Sequence, residues 1–265
     1  MNKKALEVVM NYRPIDDDFM RIIFKDNKPL VEYVLRIVLG KADLVVETSE
    51  TQADLEIFGS RGLSLDVFAR DESGKRYNIE VQRSDRGATS KRARFHASAI
   101  DVTSLSKGME FGSIPDTYVI FITENDVLEG GKLAYTIHRT VEETNKLFND
   151  GTHIIYVNAS YDDTNTDLGK LVHDFMCKNA SDMLCEPMKE ITKHYKETEE
   201  GVEFMCKAVE DYAKEYAKDY ARKERQKERI DTIKSFIKDG SLSLEKIAEI
   251  VKLPLDDVKK IAATV

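Results

Sequence analysis

The sequence lacks several features that whole classes of protein require. Its 265 residues contain only three cysteines, Cys177, Cys185 and Cys206, without CxxC spacing, which fits a reducing cytoplasm better than a disulfide scaffold. No uninterrupted apolar run reaches the length of a membrane span, so we expect a cytoplasmic protein that does not enter the membrane. The five histidines show no HExxH or paired-ligand spacing, and neither the phosphate-binding GxxxxGK[ST] loop nor a GxSxG elbow occurs.

What the chain does contain is typical of a globular protein. Hydrophobic residues make up 42% and charged residues 33% of the sequence, enough for a core inside a well-charged surface. The length allows one large domain, or one domain with an appendage. The formal charge of −8 gives no overall attraction for nucleic acid, so any DNA-binding surface must be local.

Residues 63–85, LSLDVFARDESGKRYNIEVQRSD, alternate apolar and polar side chains on both sides of the segment DESGK. This pattern predicts two antiparallel strands joined by a turn. If the turn centres on Ser73, residues whose numbers sum to about 146 face each other. Asp66 then lies directly opposite Glu80, and Gln82 projects from the same face one step along.

Two carboxylates that face each other across a strand pair repel, at a Cβ separation of roughly 4.5–5.5 Å. A divalent cation between them would turn this cost into binding energy, because hard cations prefer carboxylate oxygens. The alternative interpretation pairs Asp66 with Arg70 or Arg76 and leaves Glu80 as an exposed strand residue. The pattern alone leaves both interpretations open.

The remaining patterns indicate a mixed sheet flanked by helices, followed by a chain of helices. Helical periodicity covers residues 16–39, with Pro29 near the start of a second helix, and residues 88–108, ending at Gly108. Strands are predicted near 54–58, at 117–123 and at 153–160. Beyond residue 165 we expect only helices, including 210–229 and two short helices after Ser243.

The C-terminal helices carry a stripe of Tyr212, Tyr216 and Tyr220, a spacing typical of packing against the body or a partner helix. We expect a nuclease-like domain over residues 1–200, a helical linker over 201–230 and a small helical tail over 231–265. The tail is either a helix-turn-helix or an oligomerisation element, and a homodimer through these helices is one possibility.

Asp66, a gap of thirteen residues, Glu80-Val81-Gln82 and a following basic helix resemble the core of the PD-(D/E)xK nuclease superfamily. The segments DDDFMRIIF, IEVQR, KRARFHASAID and SIPDTYVIFIT are similar, in that order, to its transposase-associated branch, described as recombination-promoting nucleases. The resemblance covers roughly residues 12–160. It implies a restriction-endonuclease-like α/β core and hydrolysis of DNA phosphodiester bonds with Mg²⁺, for which Mn²⁺ can substitute.

Carried over to this chain, the resemblance makes Asp66 and Glu80 the metal-binding carboxylates and the Val81 carbonyl an extra ligand. Gln82 stands where the superfamily has lysine, and a neutral amide lacks the charge and proton chemistry of an ammonium. Asp17 matches the acidic residue that can complete the site, with Asp18 as the competing choice.

A basic cluster follows directly after these residues. Between positions 83 and 96, five basic residues against Asp85 give +4 within a chain of −8. We interpret this cluster as a DNA-facing strip, against the alternative of a solvated helix start. Its members are Arg83, Arg86, Lys91, Arg92 and Arg94.

These observations predict a Mg²⁺-dependent DNA endonuclease, linked to recombination, mobile elements or phage defence. The alternative is a catalytically inactive nuclease fold that binds DNA or protein. The substitution of glutamine for lysine at position 82 favours the alternative, whereas the opposed carboxylates favour the enzyme.

Overall fold

A six-stranded mixed sheet, ordered β1–β2–β3–β4–β8–β5, organises the protein between residues 46 and 158. The computed structural model describes residues 2–55, 62–83 and 87–264. The strands are β1 (Val46–Leu55), β2 (Leu63–Asp71), β3 (Arg76–Gln82), β4 (Thr117–Thr123), β5 (Ala134–Ile137), β6 (Thr140–Val141), β7 (Lys146–Leu147) and β8 (Thr152–Asn158). Strands β1 to β3 form an antiparallel meander, β3, β4 and β8 run parallel, and β5 is antiparallel to β8. Among the described residues, strands β6 and β7 pair only with each other.

Helices flank this sheet and continue beyond it. They are α1 (Lys3–Asn11), α2 (Asp17–Phe24), α3 (Lys28–Leu39), α4 (Ser90–Ser104), α5 (Asp167–Met176), α6 (Glu186–Glu197), α7 (Glu199–Asp239), α8 (Leu244–Val251) and α9 (Leu255–Ala262). The predicted α/β architecture with a helical C-terminal extension is therefore confirmed. It is consistent with a restriction-endonuclease-like fold.

The helical region predicted over residues 16–39 consists of two helices, as Pro29 suggested. Helix α2 ends at Phe24 because the backbone of Lys25 is extended (ψ 126°), and Asp26 after it lies in the left-handed region (φ 53°). The Asn27 side chain then caps α3 by accepting the Leu30 N–H, and Pro29 occupies the first turn of α3.

Two predicted boundaries differ from the structure. The strand predicted at 54–58 is the end of β1, which begins at Val46, and residues 56–58 lie outside the described residues. The first part of β1 is polar because β1 is an edge strand whose side chains are mostly exposed or half-buried, so it carries no alternation. The prediction that α4 ends at Gly108 was wrong: α4 ends at Ser104, where the Thr103 and Ser104 hydroxyls both donate to the Ile100 carbonyl.

Strand β3 is buried on both faces, which matters for the polar residues it carries. On one face, α4 packs through Ala93, Ala97 and Ile100. Its partners there are Leu65 of β2, Val119 and Phe121 of β4 and Tyr156 of β8. Helices α2 and α3 also contact the sheet, through β3 and β1. Apolar burial of this kind is the main favourable term in folding.

The chain divides into two compact units, residues 1–206 and 207–265. In the second unit, α8 and α9 pack with the end of α7 around Ile233, Ile247, Ala248 and Val258. Tyr220 is exposed, and the side chain of Tyr216 lies outside the description. No helix in the described parts of the chain is long and apolar enough to cross a membrane.

Candidate active site

Asp66 and Glu80 meet where the main-chain pairing of β2 and β3 ends. Val67 lies opposite Ile79, so the predicted register, with residue numbers summing to 146, is confirmed. One step further, the Asp66 N–H donates to Glu80 Oε1 at 3.2 Å, and the Val81 N–H donates to Asp66 Oδ2 at 3.1 Å. The two carboxylates thus replace main-chain acceptors at this point, and the backbone fixes the position of both.

The interpretation of Glu80 as an exposed strand residue is wrong. Glu80 is fully buried (0% exposed), because α4 covers this face of the sheet. Arg70, which that interpretation paired with Asp66, instead forms an ion pair with Glu47 at 2.9 Å. Burial and then the charge of Glu80 raise the pKa of Asp66 to about 7.

Helix α4 supplies the counter-charge that a buried carboxylate requires. Arg92 Nη2 donates to Glu80 Oε2 at 2.6 Å, Nε donates to His96 Nε2 at 3.1 Å, and Nη1 donates to the Gly87 carbonyl at 3.0 Å. Three N–H groups of one planar guanidinium are therefore used on three different acceptors, which fixes the orientation of Arg92.

His96 is a fully buried member of this network that the sequence analysis did not select. An arginine Nε–H can only donate, so His96 Nε2 is the acceptor in this contact. Nδ1 lies 2.9 Å from Asn78 Nδ2 and 3.4 Å from Glu80 Oε1. The available signal was the i, i+4 spacing of Arg92 and His96 beside Ala93 and Ala97, whose small side chains allow α4 to approach the sheet.

Gln82 follows on β3 and is half-buried, with its side chain against Gly87. A Cβ added to Gly87 would lie only 2.0 Å from Gln82 Oε1 and 3.0 Å from its Cδ. These two atoms are the parts of Gln82 nearest to Gly87, so Nε2 is the end of the amide farther from the glycine.

Gln52 on β1 is a second residue that sequence reasoning missed. Its Nε2 lies 3.4 Å from Asp66 Oδ1, and its backbone has φ 56°, a left-handed conformation in the middle of a strand. A non-glycine residue in this region is strained, and such strain is concentrated at functional sites. No pattern in the sequence indicates it, because the conformation depends on the sheet around it.

One protein family matches most of the chain. The family model for PD-(D/E)XK nuclease family transposases matches residues 24–239. This chain belongs to that family. The match includes Asp66, Glu80 and Gln82, whereas Asp17 precedes it. No curated protein and no solved structure matches the chain. Membership of this family implies a fold built for hydrolysis of nucleic acids, and nucleases of the superfamily generally use divalent metals.

The family's implied metal fits the residues at the hairpin end. Asp66, Glu80 and the Val81 carbonyl offer only oxygen atoms, the ligands that hard divalent cations prefer. In a strand the N–H and C=O of one residue point to the same side, so the Val81 carbonyl is directed to the side on which its N–H meets Asp66. Within residues 2–55, 62–83 and 87–264, no Lys, Arg or His nitrogen lies within 4.0 Å of the Asp66 carboxylate. Asp66 thus has no direct counter-ion, although the charge of Arg92 acts on it from further away.

Asp17 stands close enough to act on this pair electrostatically, but it is not in the same compact cluster. It begins α2 and pairs with Arg21 at 2.8 Å. Burial, together with the charges of Asp18 and Glu80, raises the pKa of Asp17, and Asp17 in turn contributes to the raised pKa of Asp66. Asp18, the competing choice, accepts a hydrogen bond from the Tyr12 hydroxyl at 2.8 Å.

The predicted basic strip occupies several different environments. Arg83 is exposed, with its Nη1 3.3 Å from Asp16 and its Nε 3.6 Å from Glu124. Lys91 and Arg94 are exposed on α4, and Arg86 lies outside the described residues. Arg92 points inward to Glu80. A phosphate-binding role for these residues stays a prediction.

Another group of metal-type ligands has a structural explanation. Ligand atoms of His173, Asp174 and Cys177 lie within 4.8 Å of one another, the one such trio in the described chain. However, the fully buried Asp174 carboxylate accepts the N–H groups of Leu184 at 2.8 Å and Cys185 at 2.7 Å, which ties the start of α6 to α5. Burial raises the pKa of Cys177 to about 11, so its thiol is protonated at neutral pH.

The raised pKa of Asp66 gives a stability prediction for the metal-free protein. Because burial raises the pKa of Asp66 to about 7, well above the value of about 3.9 for a free aspartate, the protein loses stability as pH rises between these two values. Asp66→Asn keeps an oxygen for the Val81 N–H and removes the charge, so it should stabilise the protein at pH 8 by about 2–4 kcal/mol, the upper value being the full pKa shift at 1.36 kcal/mol per unit. Thermal melts in EDTA across pH 4–8 measure this gain, which should vanish towards pH 4.

Asp54→Asn is the matched control, because Asp54 is an exposed aspartate on the neighbouring strand β1. Its melting temperature should follow the wild type at every pH. A lower melting temperature for Asp66→Asn at pH 8 would contradict the repulsion on which the expected gain depends.

Proposed function

We propose that this protein is a Mg²⁺-dependent DNA endonuclease that hydrolyses phosphodiester bonds. The observation that carries the proposal is the opposed Asp66–Glu80 pair, held by backbone N–H groups at the end of a buried hairpin. Such a pair costs free energy without a cation, because Asp66 is largely desolvated beside a second negative charge. Membership of a nuclease family supplies the chemical context for that pair.

Asp66, Glu80 and the Val81 carbonyl would hold the Mg²⁺ ion, for which Mn²⁺ can substitute. When bound, such an ion orients a water molecule, lowers its pKa and neutralises charge on phosphate. The chain's own part is to fix the ligands: the Asp66 and Val81 N–H groups hold the two carboxylates, and Arg92 holds the second oxygen of Glu80. Asp17, on α2, adds negative potential near the pair and pairs with Arg21.

Gln82 acts in this proposal as a hydrogen-bond donor to the scissile phosphate. Its oxygen and Cδ are the Gln82 atoms nearest to a Cβ placed on Gly87, and in this proposal Nε2 is the group that faces the substrate. An amide N–H can orient a phosphate oxygen, although it cannot supply the positive charge of the superfamily's lysine.

The DNA backbone would be bound by Arg83, Lys91 and Arg94, which are exposed on the segments next to the carboxylates. Exposed basic side chains on an acidic protein give a local positive strip, and such contacts make binding salt-dependent. Arg86, the further member of the predicted strip, belongs to the same proposal. Arg92 contributes through Glu80, to which its guanidinium is bonded.

A nuclease fold that binds nucleic acid or protein without cleavage is the second candidate. Two observations favour it: Gln82 replaces lysine, and Glu80 is already paired with Arg92 at 2.6 Å. An arginine can neutralise a buried carboxylate permanently, as a metal would do reversibly. Cleavage assays distinguish the two candidates directly.

We further propose that the second unit, residues 207–265, joins two copies of the chain, and that the protein works in the cytoplasm on recombination, mobile elements or phage DNA. One active site cuts one strand, so a double-strand break needs two sites brought together. The helices α7, α8 and α9 are available for that role, because none of the candidate site residues lies on them.

Purified protein incubated with supercoiled plasmid should nick it with Mg²⁺ or Mn²⁺ and not with EDTA. Asp66→Ala and Glu80→Ala should each abolish nicking, because each removes an oxygen ligand. Agarose gels of the plasmid forms give the readout.

Asp54→Ala, an exposed carboxylate on β1, is the control and should nick like the wild type. If wild-type protein shifts DNA in a gel but cleaves it with neither metal, the non-catalytic candidate is correct.

A series at position 82 tests the donor role. Gln82→Lys should keep or raise the nicking rate, since an ammonium donates and carries charge, whereas Gln82→Ala should lose most of it. Gln82→Glu has the same shape but only acceptors, so it should also lose activity. Initial nicking rates at saturating Mg²⁺ measure the effect. A Gln82→Ala enzyme as active as wild type would remove Gln82 from the site.

Truncation tests the role of the second unit. The cut belongs after Lys207, because Met205 and Cys206 are buried in the first unit and should be kept. The truncated protein should nick DNA as before, but lose self-association in analytical ultracentrifugation and produce less linear plasmid. A folded truncated protein that has lost all nicking would instead identify residues 208–265 as a DNA-binding element.

A further inference from the structure

Gly87 lies between β3 and α4, beside two side chains of the candidate active site. A Cβ at this position would lie 2.0 Å from Gln82 Oε1, 3.0 Å from Gln82 Cδ and 3.0 Å from Arg92 Nη1. The first distance is far shorter than any ordinary van der Waals contact. Any residue other than glycine would therefore have to displace the Gln82 amide.

The backbone conformation does not explain the glycine. Gly40, Gly74, Gly108, Gly131, Gly151 and Gly240 have positive φ, and Gly87 is not among them. An L-residue could adopt the backbone at position 87 without strain, so the close approach of Gln82 is the physical reason for glycine here.

The same residue also contacts the other side of the site. Its carbonyl accepts the Arg92 Nη1–H at 3.0 Å, and Arg92 Nη2 in turn binds Glu80 at 2.6 Å. One residue with no side chain thus lies against Gln82 through its Cα and holds Arg92 through its oxygen.

We infer that Gly87 is a positioning residue that sets the orientation of the Gln82 amide for the reaction proposed above, and the inference rests on that proposed function. Because Gly87 has no side chain, the Gln82 amide has room for its present arrangement, with Oε1 beside the glycine. A methyl group at position 87 would push the amide out of this arrangement. The displaced atom is the end of a flexible side chain, so we expect a change in reactivity much larger than the change in folding.

The test is a double-mutant cycle of Gly87→Ala and Gln82→Ala with two readouts. Gly87→Ala in the wild-type background should lower the nicking rate roughly 10–100-fold, the size of effect expected for a misplaced active-site group. It should lower kcat rather than raise KM for DNA, because the displaced group acts at the scissile phosphate. In the Gln82→Ala background, adding Gly87→Ala should cause no further loss.

Melting temperature in EDTA is the second readout, and it does not depend on activity. Gly87→Ala should lower it by a few degrees in the wild-type background and by less in Gln82→Ala, where the obstructing amide is gone. If Gly87→Ala fails to fold alone but folds together with Gln82→Ala, the contact is equally supported. Gly112→Ala is the matched control, because a Cβ there meets no atom within 4 Å and its φ is not positive, so both readouts should stay at wild-type values.

Failure of the positioning role and failure of the proposed function give different results. A Gly87→Ala protein that nicks at the wild-type rate, or one whose losses persist unchanged in Gln82→Ala, overturns the positioning role and points to Arg92 or the loop instead. A wild-type protein that never nicks overturns the proposed function and the role of Gly87 in it, even where the melting temperatures show the two residues coupled.

Discussion

A carboxylate removed from water needs hydrogen bonds and a counter-charge, and Glu80 imposes this requirement on the centre of the sheet. Its two oxygens receive an N–H from Asp66 and the guanidinium of Arg92. Arg92 is oriented in turn by His96 and the Gly87 carbonyl. Removing one partner of such a buried pair leaves an uncompensated charge, which is far more costly than the pair itself is stabilising. The orientation of Arg92 and the position of the Asp66 N–H are both tied to this one group.

Asp174 is a second buried carboxylate in this protein, and its hydrogen bonds have a purely structural role. It is also a fully buried carboxylate, but its oxygens accept backbone N–H groups of Leu184 and Cys185 at the start of α6. Those donors are fixed by the fold and leave no reason for a cation. Glu80 instead relies on a long arginine side chain and stands beside Asp66, which forms no ion pair within the described residues. Both carboxylates are buried, so what distinguishes Glu80 in the candidate active site from the structural Asp174 is the type of hydrogen-bond donor: an arginine side chain for Glu80 and backbone N–H groups for Asp174.

The sequence carried enough information for the hairpin register, because alternation on both arms and a short turn leave few choices. From that register the opposition of Asp66 and Glu80 follows directly. The run TYVIFIT likewise identified the buried strand β4, which is covered on both faces. What the sequence could not indicate depends on contacts between distant segments. The polar half of β1, the left-handed Gln52 and the burial of Glu80 are set by neighbouring strands and by α4. The reason for a glycine at position 87 is visible only in the structure, where the Gln82 side chain lies against it.

Most of the candidate site comes from one short stretch of chain. Asp66, Glu80, Val81, Gln82, Gly87, Arg92 and His96 all fall between residues 66 and 96, on a hairpin and the helix that follows it. The strands β5 to β7 and the helices from α5 onward supply none of them. Insertions in those outer segments would change the size and the surroundings of the molecule without moving a ligand, since loops tolerate such changes well. The residues of the candidate site can therefore stay in place while the outer surfaces, which would contact substrates and other protein chains, change in sequence.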